Sequence, residues 1–213
     1  MIGILGGTFD PVHFGHLRPA LDVQQALGLE EVRLLPCHIP PHRPPPVADA
    51  QQRVAMLEAA ISHYPVFSID RRELERDGPS WTFDTLTSLR AEPETGSICL
   101  LIGMDAFRGL PTWHRWHELI ELCHMVVMTR PGNEFHAGGE LEDFISRHRV
   151  MDPARLESKN TGHVLFQDVT QLEISATRIR ALLEQNESAG FLVPEAVLGI
   201  IQREGLYRAG NHS

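Results

Sequence analysis

Ile2-Gly3-Ile4-Leu5-Gly6-Gly7-Thr8-Phe9-Asp10-Pro11-Val12-His13-Phe14-Gly15-His16 follows the first methionine and decides the fold. The apolar run at residues 2–5 is stopped by Gly6-Gly7, the pattern of a short buried strand. From about Gly15 to Leu27 the pattern turns helical, with Leu17, Leu21 and the pair Val23/Ala26 toward one side. Gly28 stands where a left-handed C-cap is expected. Strand, glycine turn and helix in immediate succession form the first unit of an open α/β sheet, and such sheets bind ligands beyond the carboxyl ends of their strands.

The alternation continues down the chain. Strands are expected at 32–35, 66–69, 97–102, 125–128 and 164–166. Helices are expected from the Asp49 cap through Ala60, from Ser80 or Thr82 through Leu89, and over 116–122, 141–148, 175–185 and 194–203. Between His38 and Pro46 five of nine residues are proline, which reads as loop. The expected fold is α/β, a Rossmann-like doubly wound parallel sheet covered on both faces. The last two helices come without strands. They are expected to make a small C-terminal helical appendage, residues 175–207, on a single domain spanning 1–213, with 208–213 a frayed tail.

The 213 residues carry 28 acidic and 19 basic side chains, a net charge of −9. That balance disfavours nucleic acid, because non-specific binding there rests on a basic surface. A Walker loop needs GxxxxGK[ST], and the only lysine, Lys159, follows no glycine loop. Cys37, Cys99 and Cys123 are widely spaced and lack a CxxC pair, which favours reduced thiols over a disulfide framework or a thiolate zinc site. No apolar run suits a membrane span or signal peptide, so a cytoplasmic protein is expected.

Gly6 and Gly7 let a ligand approach the backbone, Thr8 offers a hydroxyl, and the helix start near Gly15 favours an anion. His13 and His16 are three apart and can project to one side of the first turn. A lone HxxH is usually two surface histidines, but directly after a glycine turn the pair suits a phosphate. In Ile174-Ser175-Ala176-Thr177-Arg178-Ile179-Arg180, Ser175 can cap a helix whose free N–H groups, with Thr177 and Arg180, could face a second anion. Asp105, after Gly103, could accept a ribose hydroxyl or cap a helix at Ala106-Phe107.

The first stretch resembles the (T/H)xGH signature of the nucleotidyltransferase superfamily, and GGTFDPVHxGH is similar to the bacterial nicotinate mononucleotide adenylyltransferases. The likeness continues through PPHR (40–43), SWTFDTL (80–86), LIGMD (101–105), PTWHRW (111–116), TRPG (129–132), ISATRIR (174–180) and VPEAVLGIIQREGLY (193–207). It implies in-line attack of nicotinate mononucleotide on the α-phosphate of ATP, giving nicotinate adenine dinucleotide and pyrophosphate without a covalent intermediate. Mg²⁺ is implied on the ATP phosphates. His13, His16, Thr8 and Arg180 would be catalytic. Gly6, Gly7, Thr8, Phe9, His16, Gly103, Asp105, Ile174, Ser175, Thr177 and Arg180 would bind ATP. His42, Arg43, Thr82, Phe83, Asp105, Trp113, His114 and Arg130 would bind the mononucleotide, with Trp113 against the pyridine ring.

Four positions depart from the family pattern: Cys37 for a common asparagine, Thr129 for a frequent arginine, and Trp81 and His114 for frequent tyrosines. A monomer or weak homo-oligomer is expected. The competing readings are a same-fold transferase of other specificity, including a nicotinamide-preferring one, a metal-binding protein using the His13/His16 and His114/His117 pairs, and a nucleotide sensor without catalysis. Retention of both histidines and the whole ISATRIR string argues against the last.

Overall fold

The computed structural model describes residues 1–40, 44–93, 96–130, 132, 135 and 137–209. Seven strands alternate with helices: β1 (Ile2–Gly7), α1 (Phe14–Leu27), β2 (Glu31–Pro36), α2 (Ala50–Ile61), β3 (Phe67–Ile69), α3 (Thr82–Arg90), β4 (Ile98–Gly103), α4 (Met104–Arg108), α5 (Leu119–Leu122), β5 (His124–Thr129), α6 (Glu140–His148), β6 (Arg149–Val150), β7 (Val164–Asp168), α7 (Ala176–Glu184) and α8 (Glu195–Glu204). All the strand pairs are parallel, in the order β3-β2-β1-β4-β5-β7-β6.

This order makes a switch point beside β1, where the chain runs outward to β3 and then returns to β4 on the other side. β1 stays paired with β2 as far as Gly7↔Pro36, whereas its pairing with β4 covers only Ile2↔Ile98 to Ile4↔Leu100. The carboxyl ends of β1 and β4 therefore part, and the crevice expected at a switch point opens between Gly6-Gly7 and Gly103.

Alternate strand residues feed two cores. Leu5, Val32, Leu34, Cys99, Leu101, Val126 and Leu165 face α1, α2, α7 and α8. Ile4, Leu35, Ile98, Leu100, Ile102, Val127 and Val164 face α3 to α6. Each such side chain contributes about 1.5–3 kcal/mol when fully buried, so the two faces fix strand register against a one-residue slip. Ile179, Val197, Ile200 and Ile201 of the last two helices belong to the first of these cores, not to a separate one.

Several expectations need adjustment. α1 buries Ala20, Val23 and Leu27, while Ala26 is exposed, because position 27 rather than 26 falls in line at helical spacing. Gly28 closes this helix in the left-handed conformation, as expected. The helix expected over 116–122 is split into a 3-10 turn (Trp116–Glu118) and α5, with Arg115 before it at a positive φ of 54°. The last helix starts at Glu195, and Pro194 holds the cap position. β6 has two residues, too few for a period to show. Of the expected frayed tail, 208 and 209 are exposed and the rest lies outside the described residues. No helix among the described residues is long and apolar enough to cross a membrane.

Candidate active site

The loop after β1 is folded tightly over itself. Phe9 adopts a positive φ of 50° and turns its ring back beneath Gly7, with 1% of its surface exposed. A Cβ on Gly7 would lie 3.0 Å from that ring, so a side chain here would require the buried Phe9 ring to give way. Phe9 therefore serves the site by shape, its ring packing edge-on against His16 with centroids 5.1 Å apart. Thr8 sits beside Cys37, whose Sγ lies 3.7 Å from the Thr8 hydroxyl oxygen. The departure at Cys37 thus falls directly on the loop.

His13 and His16 do share one side of the first turn. Their rings stack with centroids 3.7 Å apart and planes 22° from parallel. The His13 backbone N–H donates to His16 Nδ1 at 3.4 Å, which in the neutral ring assigns the proton of His16 to Nε2. The two rings are not equivalent. His13 is 4% exposed, and among the described residues its Nδ1 has no partner. Burial pushes its pKa down to about 4, so the ring is neutral at physiological pH.

That shift has a consequence for stability. The unfolded chain takes up a proton at His13 near pH 6.5, whereas the folded one resists until about 4, so stability falls as pH drops through this window. The full effect is about 3 kcal/mol. Burial also lowers the pKa of His124 and His163, which adds loss of the same sign. Thermal unfolding from pH 7.5 to 5 is expected to show a falling Tm in the parent protein and a shallower fall in His13→Gln.

The second phosphate-type motif meets the first. Ser175 caps α7, its Oγ accepting from the Arg178 N–H at 3.2 Å. A Cβ on Gly15 would lie 3.0 Å from His13 Nδ1 and 3.1 Å from the Ile174 carbonyl oxygen. Glycine at 15 thus lets the chain leading into α7 press against the start of α1. Arg180 then reaches the β1 loop, where Nη1 donates to the Asp10 carbonyl at 2.7 Å. Thr177 and Arg180 line a cavity of about 230 Å³ with Val47, Ala181, Glu184 and Tyr207.

Three groups at this junction carry no signal in the sequence reading: Asp10, Arg53 and Tyr207. The Asp10 carboxylate, on a residue 3% exposed, accepts from Val47 N–H, Ala48 N–H and the Tyr207 hydroxyl at 2.8, 3.1 and 2.7 Å. Burial and the neighbouring Asp10 charge raise the Tyr207 pKa, keeping the phenol a proton donor. Asp10 thereby pins the exit of the proline loop and the end of the C-terminal segment to one point. His42 and Arg43 of that loop lie outside the described residues. Its entrance is tied too, since His38 N–H donates to Ser80 Oγ and Ser80 N–H to the Ile39 carbonyl, both at 2.9 Å.

On the far side of the crevice, Gly103 caps α4 and Asp105 lies in its first turn, with no capping bond from a side chain. The capping role considered for Asp105 is therefore not the one it plays. Its carboxylate is fully exposed, with Arg108 Nη1 at 3.4 Å. At the start of α3, Trp81 holds the cap position, followed by Thr82 and Phe83. The His114 ring packs on Trp81 and Phe83 with centroids at 5.1 and 6.5 Å, and the Arg115 guanidinium carbon lies 3.6 Å over the Phe83 ring. Trp113, partly buried, packs against the core on this side. Arg130 sits elsewhere, bonded at 2.9 Å to Gln171 and to Glu173, in an open cleft of about 770 Å³ also lined by Asp22, Asp168 and Thr170.

A pair of anion-suited motifs at a sheet switch point defines a nucleotide-binding α/β protein. The sequence profile of the cytidylyltransferase-like family matches residues 4–182. A probable nicotinate-nucleotide adenylyltransferase of Methylococcus capsulatus is 50% identical over 97% of this chain and 99% of its own length. One of Aeromonas hydrophila is 49% identical over 97% of each. The chain belongs to the cytidylyltransferase-like family, within its nicotinate-nucleotide adenylyltransferase branch. Solved structures share the fold. A Plasmodium falciparum nicotinic acid mononucleotide adenylyltransferase complexed with NaAD superposes with a TM-score of 0.69, at 16% identity, over 97% of this chain and 96% of that one. A putative nicotinate-nucleotide adenylyltransferase of Vibrio parahaemolyticus gives 0.65 at 18% identity, over 97% and 94%.

Proposed function

We propose that this chain transfers the adenylyl group of ATP to nicotinate mononucleotide, giving nicotinate adenine dinucleotide and pyrophosphate in NAD synthesis. The observation that carries the reading is the junction of the Gly6–His16 loop with Ile174–Arg180 at the parted ends of β1 and β4. ATP phosphates lie there against the first turn of α1 and the capped start of α7, whose free N–H groups favour anions. His16, Thr8 and Arg180 supply donors as charge develops on the α-phosphate, and His13, being buried and stacked, holds His16 in place. Asp105 and Gly103 take the ribose side. No bond to the protein forms. The mononucleotide phosphate attacks in line, and the pyrophosphate leaves toward Arg180.

The chain's own donor set suits a cation that arrives with its substrate. Among the described residues no three His, Cys, Asp or Glu side chains converge on a metal position. Mg²⁺ on this reading comes with the ATP phosphates and neutralises part of their charge. His42 and Arg43 take the mononucleotide phosphate, and Arg130 a further nucleotide contact. Three free cysteines, two of them buried, fit a reducing cytoplasm.

The pyridine ring is placed between Trp113 and the Trp81/His114 pair, with its carboxylate at the N–H groups of Thr82, Phe83 and His114. A charged acceptor makes stronger bonds there than a carboxamide does. The kcat/KM for nicotinate mononucleotide is expected to exceed that for nicotinamide mononucleotide by about 100-fold or more. Pyrophosphate release from ATP with each mononucleotide measures this, and equal values remove the carboxylate pocket from the account.

A further inference from the structure

Arg53 of α2 is the largest fully buried side chain among the described residues, at 2% exposure, and the proposed reaction gives it no task. Among the described residues its one side-chain hydrogen bond runs from Nη1 to the Thr8 carbonyl at 2.8 Å, and its Nε has no partner. No described carboxylate pairs with it. Asp10, at the same junction, is already committed to Val47, Ala48 and Tyr207, and its Oδ2 faces Arg180 at 3.8 Å. Arg53, Arg180 and Asp10 all act electrostatically on Tyr207, and Arg53 also acts on the Cys37 thiol. Arg53 and Asp10 are buried behind the glycine loop, Arg180 is partly exposed and shares its cavity with Glu184, and among the described residues no carboxylate is bonded to the Arg53 guanidinium.

A buried cation without a counter-charge is costly, and proteins retain one where something supplies the missing anion. Glu73, a buried carboxylate on the same side, does not fill the role. It accepts from Thr85 at 2.7 Å, and among the described residues no hydrogen bond or ion pair joins it to Arg53.

We propose that Arg53 is a positioning residue of the adenylyl transfer: it holds the Thr8 carbonyl beneath the phosphate cradle, and the nucleotide phosphates supply its counter-charge. This rests on the function proposed above. Arg53 acts through Thr8 and through its field, not by touching the reacting atoms. Its positive charge lowers the energy of the incoming phosphates, and its Nη1 bond holds the Thr8 carbonyl of the loop that Gly7, Thr8 and Phe9 build.

The test compares Arg53→Met and Arg53→Lys with the parent in three measurements: Tm without nucleotide, the rise in Tm with ATP, and kcat and KM for pyrophosphate release. Arg53→Met is expected to melt no lower than the parent without nucleotide, because it removes an uncompensated buried charge. Its ATP-dependent rise in Tm is expected to shrink, and its kcat to fall about 100-fold, the scale of a displaced positioning group. Its KM for nicotinate mononucleotide stays unchanged. Arg53→Lys, which keeps the charge and loses the fork, restores the ATP-dependent rise and part of kcat.

A low-melting Arg53→Met with parental kcat and a parental ATP-dependent rise overturns the proposal and leaves Arg53 a structural tie. If Arg53→Met does not fold, Arg53→Lys decides: loss of the ATP-dependent rise with kcat intact overturns it. Should the parent release no pyrophosphate with any pyridine mononucleotide, the proposed reaction fails by itself. The ATP-dependent rise of parent and variants still decides the role of Arg53.

Discussion

His16→Ala is expected to lower kcat by about 10²–10³-fold, the cost of removing one preorganised donor from a charge-developing site. The KM for ATP should change far less. The ground-state phosphates keep the N–H groups of two helix starts, and Arg180 stands beside the loop through its bond to the Asp10 carbonyl. What alanine removes is a ring whose orientation is set from three directions: the stacked His13 ring, the Phe9 edge and the His13 N–H on Nδ1. Such fixing matters only if the ring has a directed task, because a simple binding group tolerates several rotamers. Steady-state kinetics with ATP varied at saturating mononucleotide separates the two. A parental kcat with a raised KM for ATP would make His16 a binding group and end its catalytic assignment.

The parts legible in sequence were those written in local periods. Ile4 and Leu5 announce a strand buried on both faces, and the spacing of His13 and His16 announces two rings on one side of a turn. The inequality between those rings was not legible. The chain at Ile174 comes close to Gly15 beside the His13 ring, a neighbour about 160 residues away in the chain. Arg53 stands in the sequence only as a position of the helix capped by Asp49, and the Thr8 carbonyl that gives it a task comes from another element. Asp10 stands in the first stretch with no role of its own assigned from sequence. Its three hydrogen-bond donors come from Val47, Ala48 and Tyr207, the last 197 positions away. The same limit applies to the side proposed for the pyridine, where Trp81 and His114 meet only because α3 and the turn before α5 pack on one sheet face. Local pattern gives the elements, and long-range closure decides which polar groups become dry.

Asp10→Ala is expected to destabilise the protein by about 3–5 kcal/mol, the range for breaking a buried charged network from one side. The substitution leaves the Tyr207 hydroxyl and two backbone N–H groups without their acceptor in a buried setting, each carrying its own desolvation cost. It also removes the one carboxylate that faces Arg180 within 4 Å and stands beside the buried Arg53. Asp10→Asn keeps the shape and one acceptor oxygen but loses the charge, so it should fall between alanine and the parent. Both effects reach the proposed reaction, because Val47 and Ala48 end the proline loop and Tyr207 and Arg180 line one cavity. Denaturant unfolding gives the stability loss, and the KM for ATP, measured well below the lowered Tm, gives the functional part. A loss under about 1 kcal/mol would show that solvent or a rearranged partner satisfies these donors. In that case the Asp10 hub would not be what closes the C-terminal helices over the first loop.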